Sequence, residues 1–268
     1  QLAGWRIAFD DSLVCPAEVP CDMASVRIQQ RRWARGSLQT AVKLLGRLWR
    51  APVGLRRKLA GTMHLLGYTM AFWMLGAALL AAPSFIALAP YARSRALWPV
   101  WLVIGLGALA PARVHLAAAA KLGRLRSAIR DVPGLMVLGA GLCFDNSLVG
   151  LSGLFRSGGT FERTPKTGSR ASRVRTRGEF IRPSATRLVE LLLAAYCAWS
   201  TAVFAAAGLW LPAAFLGLYT TGFLTAGLSP WRFALAWRSR ERSSGMSDPQ
   251  LAMSSACAEP VRRSCLRA

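Results

Sequence analysis

Residues 62 to 91, "TMHLLGYTMAFWMLGAALLAAPSFIALAPY", contain no Asp, Glu, Lys or Arg. A helix needs roughly 20 apolar residues to cross the hydrocarbon of a bilayer. A run longer than that, without a charge, is built for lipid and limits the fold to membrane architectures. Further apolar runs follow at Leu97 to Ala110, at about 188–208 and at 212–230. Between them the charges crowd, and they are nearly all basic. The 268 residues carry a net charge of +22 with a mean hydropathy of +0.33. Membrane proteins combine these two properties because apolar spans and basic loops segregate along the chain. Nucleic-acid binding, the other common reason for such a charge, calls for one continuous basic stripe. Here the basic residues bracket the spans instead.

The bracketing predicts a topology. Segments 23–58, 121–130, 156–187 and 232–268 hold ten, four, nine and seven Lys or Arg, out of 34 in the chain. Placed together on the cytoplasmic side, they satisfy the excess of positive charge expected there. The apolar runs then form two transmembrane hairpins, 59–120 and 188–231, and four crossings. One apolar stretch, 132–155, does not fit a crossing, because a crossing would move a basic loop outside. It also contains Asp145 and Asn146, costly groups on a lipid-facing helix. An interfacial or re-entrant helix over 121–157 is the expectation. Glu190, at the start of the next run, is expected to stay near the interface. The fold class is therefore mainly α, a membrane helix bundle with interfacial helices.

Outside the spans the chain offers few reactive groups. Residues 1–22 read as the soluble end of a preceding domain, with "WRIAF" a candidate strand and "CPAEVPCD" a turn. The six cysteines show no CxxC or CxxH spacing, and the two histidines are isolated, so no metal site is predicted. Residues 232–268 are rich in Ser and Arg without periodicity and read as a disordered basic tail. Residues 23–58 have ten basic residues and no acid. Val26, Trp33, Val42, Leu45 and Trp49 recur at helical spacing, with Asp22 or Ser25 as candidate caps. This is an amphipathic interfacial helix.

On that helix Gln29, Arg32 and Trp33 fall at i, i+3 and i+4 and share a face. A guanidinium grips phosphate oxygens with paired donors, an amide can donate to hydroxyl or phosphate oxygens, and an indole offers a flat apolar body to a sugar ring. The bland reading is a membrane helix anchored by Trp33, with arginines on lipid phosphates. A second cluster, "GGTFERTPKTGSR" at 158–170, sets Phe161, Thr164 and Lys166 between glycines. It reads as a hinged loop with a hydroxyl and an ammonium suited to a pyrophosphate, or as a plain basic loop.

Gln29-x-x-Arg32-Trp33 resembles the QxxRW motif of membrane-embedded, inverting family-two glycosyltransferases, the cellulose synthase group. "PAEVP" before it and "ARGSLQTAVKLL" after it are similar to bacterial cellulose synthase-like and glucomannan mannosyltransferase-like members. Phe161-x-x-Thr164-x-Lys166 resembles their gating loop in its FxRTPK form, with Arg163 where cellulose synthases carry valine. "GLCFDNSLVGLSGLF" is similar to the helix before that loop. The ordered set covers about residues 1 to 230.

The resemblance implies roles. Trp33 would stack on the terminal sugar of the acceptor, Gln29 and Arg32 would hold acceptor and donor pyrophosphate, and Phe161, Thr164 and Lys166 would close over the nucleotide sugar in a cytoplasmic gating loop, 158–187. The spans would line the exit channel of a β-linked polysaccharide in a bacterial inner membrane. The full-length enzyme would use Mg or Mn with its donor. The family's DxD and TED motifs do not occur in these residues, so the chain is expected to be the C-terminal portion of such an enzyme, following a truncated GT-A-type domain that ends at 1–22. It is expected to bind no cofactor and to be inactive alone. A lipid-directed glycosyltransferase and a non-enzymatic transport protein are the alternatives. The first usually lacks FxxTxK, and the second would place polar groups or broken helices inside its spans.

Overall fold

A computed structural model describes residues 5, 8, 10, 13, 20, 23–88, 112–156, 158 and 185–244, with side chains up to 229. The described residues are mainly helical and include no strand. The candidate strand at 5–9 is described only at Trp5 and Ala8, neither in a regular element. In chain order the helices are α1 (Met23–Arg50), α2 (Leu55–Leu65), a 3-10 turn (Gly67–Thr69), α3 (Met70–Leu88), α4 (Leu125–Phe155), α5 (Ala185–Ala206) and α6 (Trp210–Ser244). Residues 112–121 are also helical.

Four helical stretches are long and apolar enough to cross a membrane: Gly67–Ala87, Leu125–Phe155, Ala185–Ala206 and Trp210–Ser229. Three correspond to spans expected from the sequence. The fourth is the stretch expected to be interfacial or re-entrant. It forms one unbroken helix of 31 residues, with Pro133 accommodated within it. The expected second arm of the first hairpin, Leu97 to Ala110, lies outside the described residues. At the other end, α6 continues to Ser244, into the stretch read as an aperiodic tail. Residues 245–268 lie outside the described residues.

The chain divides into two compact units. One comprises 71–144 and 185–227. Its core consists mostly of small side chains: Ala71, Ala78, Ala140, Cys143, Ala194 and Cys197 are buried, with Tyr219 and Phe223 as the large fillers. Without a hydrophobic drive between helices in lipid, close packing of small residues holds a bundle together. The closest approach is between α4 and α6. A Cβ on Gly141 would sit 2.4 Å from the Gly222 carbonyl oxygen, and one on Gly222 would sit 2.6 Å from the Gly141 nitrogen. Only glycine on both sides admits that crossing. The Tyr196 hydroxyl donates to the Leu79 carbonyl at 2.6 Å, and Phe85 packs on Phe204 at 4.6 Å between ring centroids. Glu190, expected near the interface, is fully enclosed here.

The other unit comprises 1–70, 145–184 and 228–268. The segment read as one amphipathic helix, 23–58, is two helices. Pro52 and Gly54 interrupt it at 51–54, since proline lacks the N–H that would continue the ladder. The two arms stay together. Trp49 Nε1 donates to Thr62 Oγ1 at 3.1 Å, Lys58 Nζ donates to the Trp49 carbonyl at 2.8 Å, and Gly61 leaves room for Leu48. Of the two candidate caps, Ser25 is the third residue of α1 and buried, and Asp22 lies outside the described residues.

Candidate functional site

The site is organised by α1 and by the last turns of α4, which run side by side in the same direction. Every fourth residue of α1 meets α4. Arg31 reaches Asp145 with both arms of its guanidinium: Nε donates to Oδ2 at 2.7 Å and Nη2 to Oδ1 at 2.6 Å. Arg27, one turn earlier, brings Nη1 to 4.0 Å from the same Oδ1. One turn past Arg31, the backbone of Arg35 lies so close to Gly153 that a Cβ there would be 2.9 Å from the Arg35 carbonyl oxygen. One turn further, Gln39 Nε2 donates to the carbonyls of Arg156 and Gly158, at 2.8 and 2.9 Å. Gly158 has φ +82°, a left-handed conformation that suits glycine, directly past the end of α4. The 3-10 turn adds a tie, with the Tyr68 hydroxyl donating to Gln30 Oε1 at 3.1 Å.

Gln29, Arg32 and Trp33 all lie on α1 and share one side of it, as their spacing predicts. Gln29 and Trp33 project away from the Arg27–Arg31–Arg35 stripe, and Arg32 lies between the two faces. The Trp33 side is open, with the residue 46% exposed. The apolar stripe inferred for α1 is not its packed side. The buried positions are Ser25, Arg27, Ala34, Leu38 and Ala41, whereas Trp33, Val42 and Trp49 are exposed. The contacts with α4 run through Arg27, Arg31, Arg35 and Gln39, while of the large apolar residues Leu38 is enclosed and Trp33, Val42 and Trp49 face outward. Of the second cluster, Phe161, Thr164 and Lys166 lie outside the described residues, so the structure brings together only the first half of the predicted site.

Sequence reasoning missed Asp145, Arg27, Arg31 and Gln39. Asp145 was noticed only as an obstacle to a lipid-facing span. With no exposure and a bidentate guanidinium partner, its charge does not meet lipid at all. The signal was available in the i, i+4 series Arg27, Arg31, Arg35, Gln39, a polar stripe too regular for chance contact with water. What it lacked was the identity of the facing helix.

The described residues do not fit the divalent cation that the resemblance implies. The sequence contains no Asp-x-Asp, and among the described residues no group of three His, Cys, Asp or Glu could hold a metal ion. No family model matches the chain, and neither a curated protein nor a solved structure is found to match it.

Proposed function

We propose that this chain is the acceptor-binding and channel-forming part of a membrane-embedded, processive, inverting glycosyltransferase, in which residues 1–22 end a GT-A-type domain. One observation carries the reading. A single helix presents Gln29, Arg32 and an open Trp33 and, through Gln39, also holds the chain at Arg156 and Gly158, where the FxxTxK segment begins.

In this reading Trp33 stacks on the terminal sugar of the growing chain. Gln29 orients its hydroxyls, and Arg32 offsets charge on the donor pyrophosphate. Transfer joins the acceptor hydroxyl oxygen to the anomeric carbon as the bond from that carbon to the nucleoside diphosphate breaks. The hydroxyl proton goes to a general base that is not among these residues. Phe161, Thr164 and Lys166 close over the donor, and the spans pass the β-linked hexosyl polymer outward across a bacterial inner membrane. The basic segments 23–58, 121–130 and 156–187 and the tail face the cytoplasm, which in this reading keeps α4 at the interface although it is long and apolar enough to cross.

Radiolabelled nucleotide sugar supplied to the full-length protein in membranes tests the proposal. A long saccharide product supports it. A single labelled glycolipid favours the lipid-directed alternative, and no transfer favours the transport alternative.

A further inference from the structure

The acceptor reading leaves the most deeply buried charge of its unit without a task. Asp145 has no exposure, and its neighbours Asn146 and Ser147 are 8% and 5% exposed. Three consecutive helical residues cover about 200° of circumference. Most of the girth of α4 at this level is therefore enclosed by protein. A carboxylate there is costly unless its partner is also in place. Its partners both come from α1, one turn apart, and the nearer is bidentate at 2.6 and 2.7 Å.

A fork-to-carboxylate contact is directional in a way that an apolar seam is not. An apolar seam of small residues lets a helix slide or roll with little change in contact. A guanidinium paired at both nitrogens does not. With Arg27 on the same oxygen, roll and height are both constrained. Roll is the coordinate that matters for the open face. Each residue step turns a helix by 100°, so a roll of one step would carry Trp33 out of its present direction.

We propose that Asp145 is a positioning residue: gripped by Arg31 and Arg27, it sets the roll and height of α1 and thereby aims the Gln29, Arg32 and Trp33 face at the sugar acceptor. The acceptor rests on the function proposed above, whereas the control of roll does not.

The test uses the full-length protein in lipid nanodiscs. Asp145→Asn removes the carboxylate that Arg27 and Arg31 share and is expected to lower the thermal transition and cut elongation more than tenfold, which a purely structural contact would also do. The deciding variant replaces the cluster with apolar groups, Arg27→Met, Arg31→Met and Asp145→Leu together. Such a swap often preserves stability, and here it takes away the directional contact. Its transition should return to that of the wild type, while the elongation rate at saturating donor stays at least tenfold down and the donor KM remains within about twofold.

A fluorophore on Thr40→Cys in a cysteine-free background reads the helix directly, since Thr40 is exposed and lies seven residues from Trp33 on the same face. Its anisotropy should fall in the apolar variant, and also in Arg31→Lys, which keeps the charge but loses the fork. Wild-type elongation in the apolar variant would overturn the proposal. So would unchanged anisotropy in Arg31→Lys, which decides the matter if the triple variant does not fold. If the unmodified protein transfers no sugar, the functional reading falls, while the anisotropy still decides the role of Asp145.

Discussion

Two residues on one turn of α1 are similarly open to solvent but differ in what they hold, and each makes its own prediction. Trp33 is nearly half exposed and contributes little packing. On the proposed function, Trp33→Ala in the full-length protein should therefore abolish elongation while leaving membrane insertion and the thermal transition unchanged. Normal elongation would return the residue to a headgroup anchor. Arg31 is committed to a fully buried carboxylate. Removing Arg31 takes the bidentate partner from a buried carboxylate, while Arg27 stays 4.0 Å from Oδ1. Arg31→Ala should accordingly lower the denaturation midpoint by more than Tyr68→Phe, which loses one neutral hydrogen bond worth about 1 kcal/mol. That Gln29, Arg32 and Trp33 share a face was legible from spacing, because three residues on one turn need no partner to do so. The role of Asp145 was not legible, because a charge in an apolar run has opposite meanings against lipid and against a guanidinium 114 positions away.

At the level of elements, the α1–α4 seam is a ladder with one rung per turn, and its far rung is the amide of Gln39. Gln39→Leu would leave the Arg156 and Gly158 carbonyls without that donor. Faster amide hydrogen exchange at 155–158, with the body of α1 unchanged, is the expected outcome; equal exchange would show that the end of α4 is held by other contacts. The rung at Gly153 is steric. Gly153→Val places a branched side chain against the Arg35 backbone, with a Cβ position 2.9 Å from its carbonyl oxygen. The helices must separate, at about 1–3 kcal/mol for overpacking of this kind. Helical periodicity located α1, and three members of its apolar stripe, Trp33, Val42 and Trp49, are exposed. Hydrophobic patterning assumes that burial follows hydropathy, and in a membrane setting large apolar groups can face outward to lipid while small residues face protein.

For the whole molecule, the basic segments predict that a cysteine introduced at 158–168 is labelled by an impermeant reagent from the cytoplasmic side, and the proposed function adds that nucleotide sugar protects it. Labelling from outside would invert the topology. The Gly141–Gly222 crossing predicts that Gly222→Val disrupts the bundle, because the clash is with backbone, which no rotamer change relieves. Loss of the folded fraction in detergent, without a change in membrane targeting, would show it. The membrane class, the helical content and three of the four candidate spans were determined by the sequence alone, since hydropathy and charge segregation act locally and need no knowledge of neighbours. The packed face of α1, the continuity of α4 through Asp145 and the glycine crossing were decided only by tertiary structure. Each depends on which helix lies opposite, and a buried charge or a missing side chain takes its meaning from that partner.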